Sequence, residues 1–207
     1  MIDNYDSPWM DEELHIMRDA VAKFLQKEFV PNMDKWEKQG FVDRDAWRVA
    51  GQAGLLCASI PEEYGGGGGN FKHEMVLVEE LSYANITGFG NGVHSGIVAH
   101  YINAYGSEEQ KKKWLPSMAS GDIVSAIAMS EPGTGSDLQA VATTALAEGD
   151  DYILNGQKTF LTNGMTANLI CVVTKTDPSE GGKGISLIMV ETELVEDRKS
   201  TRLNSSH

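Results

Sequence analysis

At Ser120-Gly121-Asp122 the period of the apolar residues changes from helical to strand-like, and this switch constrains the fold more than any other feature. Ahead of it, Leu14, Met17, Val21, Phe24 and Leu25 form a stripe from Asp11 to a stop at Pro31, and a second pattern runs to Gly40. "RDAWRVAGQAGLL" predicts another helix with Gly54 as its stop, and "FKHEMVLVEELSYA" and "VHSGIVAHYINAYG" predict two more. Ser107 and Gln110 have the spacing of a capping box that opens the last helix. Behind the switch, "IVSAIAM", "VATTALAE", "YILNGQKTFLTN", "NLICVVTK" and "GISLIMVE" are apolar or β-branched runs divided by turns, with Asn155-Gly156 as the strongest hairpin signal. The expectation is an α+β chain, with a helical bundle over residues 1–120 and an antiparallel β-barrel or sandwich over 121–195. Residues 196–207, "EDRKSTRLNSSH", lack apolar periodicity and read as a non-native or disordered tail.

Charge and cysteine usage exclude several classes of function. The net charge of −13 disfavours a nucleic-acid or anionic-membrane surface, both of which need a basic footprint. No apolar run is long enough to span a bilayer. Cys57 and Cys171 each lie in an apolar stretch and read as buried free thiols of a reducing compartment, here taken as the cytoplasm. The histidines show no zinc-type spacing, so no metal site is expected, and His94 and His100 read as packing or surface residues. The run "YGGGGGN" lacks the Gly-Lys-Ser/Thr of a phosphate loop and reads as a flexible surface turn.

The stretch "AMSEPGTGSD", residues 128–137, carries the functional expectation. Pro132, Gly133 and Gly135 force the chain out of its strand and expose backbone donors and hydroxyls at the strand's end. "TNG" at 162–164 taken alone is an ordinary turn, and Ser130 or Ser136 taken alone could serve only the backbone of a loop.

The chain resembles the acyl-CoA dehydrogenases from about Asp11 to Val195. The resemblance is carried by "IPEEYGG" at 60–66, "YGSEEQKKKWLP" at 105–116, "AIAMSEPGTGSD" at 126–137 and "YILNGQKTFLTNG" at 152–164, four motifs in register, most like the long-chain branch. It implies that the segments 127–136 and 160–162 cradle FAD. Ile127 and Met129 would line the ring edge, Ser130 would bond near its pyrimidine end, and Gly135 would belong to the cradle. Ser136 would lie near the pyrophosphate and the bound thioester, making it a substrate contact as well. Phe160 would pack beside the flavin, Leu161 would belong to the cradle, and Thr162 would contact N5. Ser130 stands where Thr is usual, Thr134 where Ala is usual, and Phe160 where many members carry Trp.

The implied reaction is α,β-dehydrogenation of a saturated fatty acyl-CoA in fatty acid β-oxidation, with electrons passing to an electron-transfer flavoprotein and a full-length homotetramer. The family's catalytic glutamate comes from a second helical bundle after the β domain, which this sequence lacks; no catalytic residue is expected here, and the chain alone should turn over no acyl-CoA. Two alternatives stay open: an oxygen-using flavoenzyme of the same fold, of the acyl-CoA oxidase or monooxygenase type, and a non-catalytic binding module.

Overall fold

The computed structural model describes residues 7–149 and 151–193, which divide after Ile123 into two compact units. The tail 196–207 lies outside the described residues.

The first unit is helical. Asp11 opens α1 (Glu12–Phe24) by accepting the Leu14 amide at 3.0 Å, and Glu12 and Glu13 complement the positive end of the helix dipole. Pro31 does not end the helical path as the stripe predicts. The chain widens into a π-turn over Leu25–Phe29, tightens at Val30–Asn32 and continues as α2 (Met33–Gln39), because Pro tolerates the first turn of a new helical segment. Gly40, at φ 81°, then ends α2 with its N–H on the Trp36 carbonyl.

α3 (Arg44–Gln52) and α4 (Phe71–Tyr83) follow, and α5 (Asn91–Val93) runs through a π-helical stretch, His94–Ala99, into α6 (His100–Tyr105). α7 (Glu108–Ala119) opens on the predicted capping box: Gln110 N–H donates to Ser107 Oγ at 3.2 Å and Ser107 N–H to Gln110 Oε1 at 2.9 Å. The core is aromatic at its centre, where Phe89 packs edge-on to Phe29 and tilted against Trp47.

The glycine run is not a flexible turn. Successive amides of Gly66, Gly67, Gly68 and Gly69 donate to the carbonyls of Pro61, Cys57, Ile60 and Ala58. A Cβ at Gly66 would stand 2.2 Å from the Ile60 carbonyl oxygen. The glycines allow two stretches of backbone to touch, and these four N–H groups have none left for a phosphate.

Among the described residues the second unit is a five-stranded sheet: β1 (Ser125–Ala128), β2 (Thr144–Glu148), β3 (Asp151–Asn155), β4 (Leu169–Lys175) and β5 (Ile185–Glu191). β4 is central. It pairs antiparallel with β5 over its whole length, parallel with β1 over Leu169 to Val172, and parallel with β2 at Lys175. The sheet is therefore mixed, which corrects the antiparallel expectation. The cause lies at the strands' entry, where Asn168 accepts the Val124 amide on Oδ1 at 2.9 Å and donates its own amide to the Val124 carbonyl at 3.0 Å. That reciprocal pair starts β1 and β4 side by side, and a loop plus the β2–β3 hairpin replaces the helical crossover that parallel neighbours commonly use.

Asn155-Gly156 is not the hairpin turn either. β2 and β3 pair from Thr144↔Asn155 to Glu148↔Asp151, so the reversal follows Glu148, where Gly149 has φ 65°. Gly156 serves close approach instead, since a Cβ there would lie 2.3 Å from Thr143 Oγ1.

Candidate functional site

β1 is buried at all four positions, and the sheet pattern places Ala126 and Ala128 on one face with Ile170 and Val172 of β4. Ile127 alternates to the other face and is buried beside its partner Cys171. Past Ala128 the chain leaves the sheet: Met129 and Ser130 are half-buried, and Pro132, Gly133, Gly135 and Ser136 are exposed. A Cβ added at Gly133 or Gly135 would meet nothing within 4 Å, so open space borders the loop.

The second motif folds onto the first. The Thr159 amide donates to the Ser130 carbonyl at 2.9 Å, and Lys158 Nζ donates to the Met129 carbonyl and to Glu131 Oε1, both at 2.9 Å. Leu161 packs on the Ala126–Ala128 face, so its side chain belongs to the core. Phe160 turns outward, the residue 72% exposed on a backbone at φ 57°. Thr162 is exposed at the start of the turn that follows. Asn163, at φ 65°, anchors that turn by donating its side-chain amide to the Ser125 carbonyl at 3.0 Å.

The predicted residues thus fall into three settings. Met129, Ser130, Phe160 and Thr162 lie on the two segments that these bonds join. Gly135 and Ser136 lie further along the first loop, Ile127 is buried in the sheet unit, and Leu161 is half-buried against it. The Thr that stands for the family's Ala has a use: the Thr134 hydroxyl donates to the Ala140 carbonyl at 3.2 Å and closes the loop.

Glu131 and Lys158 were not among the candidate site residues. The Glu131 carboxylate accepts the amides of Ala142 and Thr143, the Thr143 hydroxyl and the Lys158 ammonium. Burial pushes its pKa up, but the Thr143 hydroxyl, the Ala142 amide, Lys158 and the Thr143 amide outweigh this and hold it at about 2. The available signal was one anion inside the first motif and one cation directly ahead of the second.

Elsewhere, His94 is fully buried, with Nε2 3.1 Å from the Met118 carbonyl and its ring edge-on to Trp47. His100 Nε2 lies 2.9 Å from Ser59 Oγ, which donates to Glu74 Oε1. Because that carboxylate engages the hydroxyl rather than the imidazole, the set lacks the order of a nucleophilic triad. Both cysteines are free and buried, their thiols pushed up by burial to about 12 for Cys57 and about 11 for Cys171, so neither is a thiolate at neutral pH. Among the described residues no helix is long and apolar enough to cross a membrane.

A helical unit is followed by a mixed-sheet unit whose loop and turn are joined at the end of β1. The family profile for the acyl-CoA dehydrogenase N-terminal domain matches residues 11–122, and that for the middle domain matches residues 126–202. The chain belongs to the acyl-CoA dehydrogenase family. It is 46% identical over 184 residues to the long-chain specific acyl-CoA dehydrogenase, mitochondrial, of Sus scrofa, covering 88% of this chain and 43% of that protein. Among solved structures, an acyl-CoA dehydrogenase from Geobacillus kaustophilus superposes with a TM-score of 0.87 at 47% identity, over 91% of this chain and 50% of that one. A glutaryl-CoA dehydrogenase from Mycobacterium smegmatis in complex with FADH2 gives 0.81 at 29% identity, over 89% and 46%. The chain spans about half the length of these proteins.

The residues present fit a flavin. The joined segments offer a flat exposed ring at Phe160, hydroxyls at Ser130 and Thr162, and open space beside Gly133 and Gly135. Thr159 Oγ1 is a buried hydroxyl with no hydrogen-bond partner among the described residues, an unmet donor within the same segment.

Proposed function

We propose that this chain supplies the N-terminal and middle portions of an FAD-dependent acyl-CoA dehydrogenase acting on saturated fatty acyl-CoA thioesters in β-oxidation. The observation that carries the proposal is the 2.9 Å bond from the Thr159 amide to the Ser130 carbonyl, which makes one surface of two separate motifs. Bound FAD supplies the acceptor for the hydride leaving the substrate β-carbon. The chain's own residues bind and orient: Met129, Ser130, Gly135, Ser136, Phe160 and Thr162 hold the cofactor, Ile127 and Leu161 back them from the sheet, and Ser136 also meets the thioester. Ser130 and Thr162 carry hydroxyls, and hydroxyl donors held at the ring favour negative charge on it when it is reduced.

The long-chain substrate class rests on the 46% identity to the pig long-chain enzyme. The α-proton requires a carboxylate base, which we place outside residues 1–195, and the acceptor we propose is an electron-transfer flavoprotein, with the complete enzyme a homotetramer. Two buried free thiols support a reducing, cytoplasmic compartment.

Titrating the purified chain with FAD tests the reading. Quenching of FAD fluorescence with a bound-flavin spectrum is the expected result, and no uptake would sink it. Anaerobic reduction of the complete enzyme, then exposure to air, separates dehydrogenase from oxidase: slow reoxidation is expected.

A further inference from the structure

Lys158, just ahead of the second cradle segment, and Glu131, inside the first, tie the two together. Both side chains are 6% exposed, with Nζ 2.9 Å from Oε1. One ammonium serves two acceptors on the first motif, the Met129 carbonyl and the Glu131 carboxylate. That carboxylate is itself pinned by the amides of Ala142 and Thr143, just ahead of β2. The pair therefore references both motifs to the sheet.

A buried ion pair is a poor choice if stability alone is needed, because well-packed apolar residues of similar volume do as well or better. What it adds is a fixed distance and direction. Phe160 needs such support, since a non-glycine residue at φ 57° persists only where its surroundings over-determine it. Its predecessor, Thr159, is held to Ser130 by the backbone bond, and the residue before that is Lys158.

We infer that Lys158 and Glu131 are positioning residues of the flavin cradle, the ammonium fixing the spacing between residues 129–131 and residues 159–162. The inference rests on the flavin reading of those segments. It requires neither residue to touch the cofactor.

The test titrates FAD into the 207-residue chain and into Lys158→Met, Lys158→Arg and the double variant Glu131→Gln/Lys158→Met, with thermal melts and amide exchange at Thr159 alongside. Lys158→Met and the double variant should melt cooperatively, exchange the Thr159 amide faster and bind FAD about tenfold or more weakly, the scale of loss seen when groups that orient a binding site from behind are removed. Lys158→Arg, which keeps a cation and its donors, should recover most of the affinity. Folded variants that bind FAD within a factor of about two of wild type, well under that expected loss, would overturn the inference while leaving the flavin reading intact. No uptake by wild type would remove the flavin reading and the inference together. Loss of cooperative melting in every variant would assign the pair to the fold and would likewise overturn it.

Discussion

The backbone amide of Thr159 donates to the carbonyl of Ser130 at 2.9 Å, so a residue between Lys158 and Phe160 reads directly onto the end of β1. Each side-chain role proposed at the site depends on this register, because Ser130 and Thr162 lie on opposite partners of the junction.

In the complete enzyme, Thr162→Val should lower the flavin reduction potential and slow flavin reduction by acyl-CoA. The loss of one hydrogen bond of this type is about 0.5–1.5 kcal/mol. Potentiometric titration with a reference dye and stopped-flow reduction check it; wild-type values in both would remove Thr162 from the site.

Acid should weaken the sheet unit through Glu131. Its folded pKa, about 2, lies below the ordinary carboxylate value of 4.5, so its contribution is present above pH 4.5 and lost as pH falls toward 2. Between pH 5 and pH 3 the loss is about 2 kcal/mol, and Glu131→Gln should lack it while being less stable at neutral pH. Hydrogen exchange of the β4 amides across that range is the measurement.

The helical unit should weaken in a different window. Burial pushes His94 down to about 4; its bond to the Met118 carbonyl opposes this and the Arg44 charge adds to it. The unfolded chain takes up a proton near pH 6.5 that the folded core refuses, so stability is lost as pH falls from 6.5 to 4, about 2 kcal/mol of it between pH 7 and pH 5. All four tryptophans, at 9, 36, 47 and 114, precede residue 124, so fluorescence reports this unit alone. His94→Phe should flatten the pH dependence of its urea midpoint.

Gly66→Ala should destabilise the helical unit by about 1–3 kcal/mol, the usual cost of forcing atoms into a packed interior. The added methyl would meet the Ile60 carbonyl oxygen at 2.2 Å, and both groups are backbone-bound. Urea denaturation followed by tryptophan fluorescence checks it, with Gly54→Ala as a contrast: there the methyl has open space and only φ 72° opposes it.

Much of this was legible in the sequence because it is local. The Ser107 and Gln110 cap, the stop at Gly40 and the change of period near Ser120 are decided within a few residues. The two motifs were recognisable for the same reason. What escaped is non-local. Asn168 fixes the parallel partner of β1 from 44 residues away, and nothing near Val124 announces it. Asn155-Gly156 has the composition of a hairpin turn, but close packing on Thr143 claimed the glycine instead. Lys158 looks like any surface lysine until Glu131 and the Met129 carbonyl are brought to it.

The parallel pairing of β1 with β4 also sets an order of events during synthesis. β1 leaves the ribosome about 40 residues before the strand it must join, an interval of roughly 2–8 s at ordinary elongation rates of about 5–20 residues per second. The β2–β3 hairpin can close in that time, but Ala126, Ile127 and Ala128 have no neighbour until Leu169 emerges. The nascent sheet is therefore most exposed to aggregation and to chaperone capture while the loop after β1 is already complete and its central strand is still being made.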